Sequence, residues 1–213
     1  MRKKNSNGEG QSNYELIDLI NINGIDFKRN IIYIAGEINS DLPTALYSKY
    51  NTLEAYWEAE GLEKPFEITL YVDSYGGDAD SINGVFDFYD ALLRQGIKVN
   101  GVAHGKCMSA ATLLLGGCTG KRQATKRTRF MVHEIQIFGG GGTHTQTKSA
   151  QTELDLLQDT YYGTYAEFSF KTVSKPTAKV FEKAKKDWEN RCLKETYFSA
   201  DQAKDWGLID EVI

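Results

Sequence analysis

Short runs of β-branched and aromatic residues alternate along this chain with longer stretches whose apolar positions recur every three or four residues. That alternation is the pattern of an α/β layered domain. The run NIIYI at 30–34, ITLYVD at 68–73 and the apolar stretch at 97–103 predict three strands. A helix is predicted from about 41 to 61, with Asp41 as its cap and Pro43 in its first turn. The loop 74–77 (SYGG) leads into a second helix over about 79–94, where Ile82, Val85, Phe86, Tyr89 and Leu93 fall at helical spacing. Residues 130–138 read as extended, interrupted near His133, and the four glycines at 139–142 as a permissive segment. A long helix over about 146–172 follows, and then one opened by Pro176. Leu154, Leu157, Tyr161, Tyr165 and Phe168 give the long helix more apolar surface than a solvated helix carries, so a partner is expected. Ser199 caps a last short helix that stops at Gly207, before the terminal strand LIDEV. With no fixed-period repeat and no linker, 14–213 reads as one domain behind a disordered polar arm at 1–13.

The stretch GKCMSAATLLLGG at 105–117 stands out. It places Ser109 where a buried strand ends and a small-residued core helix begins. Serine is a preferred N-cap, which is one reading of Ser109. The other is a nucleophile at the positive end of a helix, which requires a base within hydrogen-bond reach and donors for an oxyanion. The N–H groups of Ala110 and of the Gly76-Gly77 loop are candidate donors. The chain has three histidines. His104 ends the strand beside the serine and serves equally as a polar plug, and His144 sits in a loop. His133 closes the apolar run Phe130-Met131-Val132, a fixed position of the kind a base needs. Spacing alone leaves both readings of Ser109 open.

Composition narrows the function class. Hydrophobic residues make up 41% and charged residues 25%, with a net charge of −4. That balance offers no attraction to nucleic acid or an anionic membrane. No apolar run approaches the roughly 18 residues of a membrane span, and MRKKNSNGEGQSN carries no apolar core of a secretory signal. Three cysteines, Cys107, Cys118 and Cys192, without a C-x-x-C pair argue against a disulfide framework or a zinc knuckle and fit a reducing cytoplasm. Cys107 reads as a small buried residue rather than a reactive thiol.

Five segments in order, spanning about 30–213, resemble the proteolytic subunit of the Clp proteases, the ClpP family. Asp73-Ser74-Tyr75-Gly76-Gly77 is similar to that family's N-S-P-G-G loop, and Gly105 to Ala111 to the G-Q-A-A-S-M-G around its nucleophile. Gly120-Lys121-Arg122 is similar to G-K-R, and Arg129 to His133 to R-V-M-I-H. The end, from Tyr197-Phe198-Ser199-Ala200 to Leu208-Ile209-Asp210, is similar to F-L-S-A through Y-G-L-I-D. The resemblance implies a ClpP/crotonase-like α/β fold, a head of stacked β-β-α units with a protruding handle helix at about 146–172. It implies a serine endopeptidase of unfolded proteins or peptides, with Ser109 as nucleophile, His133 as general base, and Gly77 and Ala110 as oxyanion donors. Substrate would pair with the extended segment after the histidine, beside Gly76, Gly140 and Gly141. No metal or cofactor is implied; any ATP would be hydrolysed by a separate AAA+ unfoldase feeding a homo-oligomer of heptameric rings, single or stacked.

The sequence also departs from the family. Its triad aspartate is Glu195 here, with Asp187 and Glu189 as nearby rivals. The proline of S-P-G-G is Tyr75, the glycine two after the nucleophile is Ala111, and the proline after the histidine is missing. Thr196 replaces the basic residue used in contacts between rings. The rival readings are a phage-type relative that matures capsid or scaffold proteins, a catalytically inactive ring subunit, and an enoyl-CoA hydratase-like enzyme of the same fold.

Overall fold

A computed structural model describes residues 24–136, 142–171 and 175–213. The expected arm at 1–13, the extended segment at 137–141 with Gly140 and Gly141, and the expected helix end at 172 lie outside the described residues.

The sheet runs in the order β1 (Ile25–Asp26), β2 (Ile31–Ile38), β3 (Glu67–Gly77), β4 (Lys98–Met108), β5 (Arg122–Ala124) and β8 (Glu211–Val212). From β2 to β8 every pairing is parallel. Parallel strands need crossovers, and the helices supply them: α1 (Leu42–Ala59) joins β2 to β3 and α2 (Ser81–Arg94) joins β3 to β4. The core is one cluster, from Ile32, Leu70 and Val99 in the strands to Leu53, Phe88 and Leu114 in the helices.

The forked pairing of β4 positions the site. Its first half pairs with β5, through Gly101 to Ala103. Its last three residues, Lys106 to Met108, pair in parallel with β6 (Arg129–Val132). Strand β6 is in turn antiparallel to β7 (Thr196–Ser199). The buried rings of Phe130 and Phe198 face each other across that pair at 5.3 Å and set its register.

The strands reach further than their apolar runs suggested. The stretch 74–77 is not a loop. Strand β3 continues through it, pairing Gly76 with Glu37 and Gly77 with Ile38. Glycine and serine there read as turn signals, but both ladders that flank the stretch carry a bulge. The buried Ser74 hydroxyl repairs the gap, donating to Gly36 O at 2.5 Å and accepting from Gly76 N at 3.0 Å. Strand β4 likewise runs on through Gly105 to Met108. The short strands β1, β5 and β7, with too few residues to show a period, went unpredicted.

Helix α3 (Ala110–Gly117) is the small-residued core helix, followed by α4 (His144–Ser169) and α5 (Ala178–Leu193). Asp41 and Ser109 occupy N-cap positions, but neither side chain makes a cap hydrogen bond. Ser199 does, closing a capping box with Gln202 on α6 (Ala200–Asp205). In the long helix α4, Tyr161, Tyr165 and Phe168 are buried within this same chain, while the residues towards its N-terminus are exposed. The apolar stripe expected to demand a partner is therefore largely covered internally. Arg122, of the G-K-R segment, is buried. It ion-pairs with Asp210 at 2.5 Å and donates to Phe168 O and Gly207 O, tying the end of α4 to the C-terminal segment. Among the described residues no helix is long and apolar enough to cross a membrane.

Candidate active site

Ser109 and His133 meet because β4 and β6 are parallel neighbours. Each residue lies just beyond its strand's C-terminal end, where α/β sheets gather their ligands. Met108 is paired with Met131, and the Ser109 N–H donates to Met131 O at 2.8 Å. One residue beyond β6, His133 Nε2 stands 2.8 Å from Ser109 Oγ. Ser109 is at φ 52, ψ −129, a conformation L-residues rarely adopt. A strained strand-to-helix turn of this kind lifts a serine hydroxyl clear of the backbone. The hydroxyl is thus engaged by imidazole and not by the helix it precedes.

Backbone packing around the serine is tight. Gly76 has φ 96, and a Cβ there would lie 2.6 Å from Met108 O and from Ser109 Cβ, and 3.0 Å from Ala110 N. The end of β3 therefore lies directly against the serine turn. Gly77 and Ala110 line the same cleft as Ser109 and His133. The first N–H groups of α3 have no acceptor inside the helix, and its dipole favours negative charge at that end.

Helix α4 braces this arrangement from a distant part of the chain. The Thr112 hydroxyl donates to Ser109 O at 2.6 Å and accepts from the buried Tyr165 hydroxyl at 2.6 Å. The Ile135 N–H donates to Gln158 Oε1 at 2.6 Å, fixing the segment just after the histidine. Thr112, Gln158 and Tyr165 were invisible as site residues, since nothing local marks them. Burial pushes the Tyr165 phenol and the Cys107 thiol well above their usual values. Cys107 is buried with its thiol on Ala111 O at 3.2 Å, so it is no rival nucleophile.

The structure does not bring Glu195 onto the imidazole. Glu195 is exposed at φ 47 and accepts from the Tyr197 hydroxyl at 3.2 Å. His133 Nδ1 has no hydrogen-bond partner, the sole such buried side-chain nitrogen or oxygen among the described residues. Of the rival acids, Glu189 pairs with Lys186 at 2.8 Å and Asp187 is exposed. His104 packs its ring on Tyr71 at 5.6 Å, and His144 is an exposed residue at the start of α4.

The cleft holds about 690 Å³. Its described lining carries five carboxylates, Glu37, Asp78, Asp80, Glu134 and Glu153, and no lysine or arginine. Among the described residues no group of three or more His, Cys, Asp or Glu is placed to hold a metal ion. A family model, that of Clp protease, matches residues 18–213. The chain belongs to the Clp protease family. Membership makes it a serine peptidase of the ClpP type and accounts for the ClpP/crotonase-like mixed α/β fold. Arg122, in its segment resembling G-K-R, has a packing role visible in its bonds to Asp210, Phe168 and Gly207.

Proposed function

We propose that this chain is an endopeptidase of unfolded polypeptides in which Ser109 is the nucleophile and His133 the general base. Glu195 is the orienting acid, and Gly77 and Ala110 supply the oxyanion N–H groups. The observation that carries the reading is the 2.8 Å approach of His133 Nε2 to Ser109 Oγ on a strained strand-to-helix turn. Oγ attacks the scissile carbonyl carbon as its proton passes to Nε2, and the new oxyanion is held by the two N–H groups. Collapse breaks the C–N bond, the leaving amine takes the proton from Nε2, and Ser109 is left acylated. Water, activated by the same nitrogen, then releases the acid and restores the serine.

The family to which the chain belongs supports enclosure of the site in a homo-oligomer, proposed as a heptameric ring or a stacked pair. An AAA+ unfoldase is the proposed feeder, in the cytoplasm. Capsid or scaffold maturation by a phage-type relative needs the same chemistry without the ATPase. A peptide backbone would dock by main-chain pairing on the segment following Gln136, to which Gly140 and Gly141 belong, beside the strand end that carries Gly76. Incubation with a fluorophosphonate tests the chemistry: one adduct on Ser109, absent from Ser109→Ala and slowed at least tenfold in His133→Ala, is expected. An unmodified Ser109 in the assembled wild-type protein would refute it. One observation favours a second reading, an inactive ring subunit: Glu195 is bonded to Tyr197 while Nδ1 is unpartnered. The same labelling separates the two. An enoyl-CoA hydratase-like enzyme has no use for the Ser109–His133 pair.

A further inference from the structure

If Nε2 is to accept the Ser109 proton, Nδ1 must carry the other ring hydrogen. A buried N–H then faces no acceptor among the described residues, an arrangement that folded proteins rarely leave standing. The β6–β7 register says what lies opposite. Arg129 pairs with Ser199, and the ladder steps along in opposite directions to end at Val132 with Thr196. One step beyond that last pair, the residue across from His133 is Glu195. Neither residue is itself in the ladder: Glu195 stands in the turn that enters β7, at φ 47 with its N–H donating to Cys192 O, so the register brings its backbone beside His133 without joining the two side chains. Tyr197, two residues on, lies in β7 opposite Met131 and is exposed. The register is rigidly set, since Phe130, Val132 and Phe198 are buried.

His133, Glu195 and Tyr197 thus belong to the same end of the β6–β7 pair, and the Glu195 carboxylate is bonded to the tyrosine. From this geometry we propose that Tyr197 is a positioning residue whose hydroxyl holds Glu195 off His133, so that its release completes the triad. The inference rests on the functional reading above and concerns the state of that same site. Glu195 sits at φ 47, a left-handed conformation that non-glycine residues adopt where the surroundings enforce it. The holding bond, 3.2 Å long between two exposed side chains, is weak enough to exchange. In the closed arrangement the carboxylate gives up that bond and part of its hydration and gains a charge-assisted bond from the Nδ1 hydrogen. Imidazolium formed during serine attack is then stabilised.

Tyr197→Phe keeps the ring and removes only the hydroxyl. Peptide hydrolysis by the assembled full-length protein is compared for wild type, Tyr197→Phe, Glu195→Gln and the double variant. Tyr197→Phe should raise kcat about two- to fivefold with KM unchanged, the population shift expected on losing one exposed hydrogen bond. Glu195→Gln should erase that gain in the double variant. The low-field proton resonance of an Nδ1–H bonded to carboxylate should strengthen in Tyr197→Phe and vanish with Glu195→Gln. An unchanged or lowered kcat in Tyr197→Phe, or the same gain without Glu195, overturns the proposal. Should peptide turnover be too slow to measure, the rate of Ser109 phosphonylation is read in the same four proteins. Labelling that ignores Tyr197→Phe overturns this inference alone, whereas no labelling in any of them overturns the functional reading with it.

Discussion

Gly76→Ala isolates the role of backbone packing in setting up the nucleophile. Two costs arise. The first is conformational: alanine at φ 96 loses about 1–2 kcal/mol relative to glycine. The second is steric. The new methyl would lie 2.6 Å from Met108 O and Ser109 Cβ, where carbon contacts relax only at about 3.5 Å. Relief requires a displacement on the order of 0.5–1 Å, and the groups to be displaced are the nucleophile and the candidate oxyanion donor at Ala110. A misplacement of about 1 Å costs roughly 10²-fold in rate. Gly96 provides the control, since it has φ 80 but nothing within 4 Å of the position its methyl would take. Gly96→Ala should therefore melt lower by about 2–8 °C from the conformational cost alone, given roughly 2–4 °C per kcal/mol for a chain of this size, and Gly76→Ala by more because the steric cost adds. Only Gly76→Ala should also lose Ser109 phosphonylation, by about 10²-fold. Labelling rates measured beside melting curves for the two proteins decide the matter. Parental labelling in Gly76→Ala would show that the end of β3 does not position Ser109, and equal loss in Gly96→Ala would show that the effect is only one of stability.

Four further outcomes rest on other contacts of the fold and the site. Arg122→Met strands a half-buried Asp210 and two carbonyls, so urea unfolding should show a loss of about 3–5 kcal/mol, and Arg122→Lys should rescue little because it lacks the planar fork. Burial pushes the Asp210 carboxyl up, but its bonds to Arg122 outweigh this and hold it below the usual value; the stability it supplies is present above the unfolded carboxylate pKa and lost as pH falls through the lower folded one, so this part of the acid sensitivity should vanish in Arg122→Met. Thr112→Val cuts the link from Tyr165 to Ser109 O and leaves a buried phenol unpaired, costing about 1–3 kcal/mol by thermal unfolding, with slower phosphonylation. The carboxylate-lined cleft should give peptides with lysine beside the scissile bond a lower KM than glutamate counterparts, a gap that about 0.5 M salt narrows; equal KM values at low salt would mean the carboxylates are too solvated to matter.

The alternation of strands and helices could be read from the residues alone, because buried parallel strands and core helices both demand apolar residues at characteristic periods. The capping of α6 by Ser199 was legible for a similar reason, since a capping box lies within one helical turn. Ser109 and His133 stood out as candidates at element ends, and five ordered segments tied them to a family. Whatever depends on pairing between distant segments had to wait for the folded chain. The forked ladder of β4 brings His133 to Ser109, the bulges convert an apparent loop at 74–77 into strand, and Tyr165 reaches the serine turn through Thr112. None of these leaves a local signature, because hydrogen bonds between residues 24 or 53 positions apart impose no periodicity on either segment. The place of Glu195 belongs to the same class: a carboxylate at that position is written in the chain, but its bond to Tyr197 rather than to His133 appears only once the chain is folded.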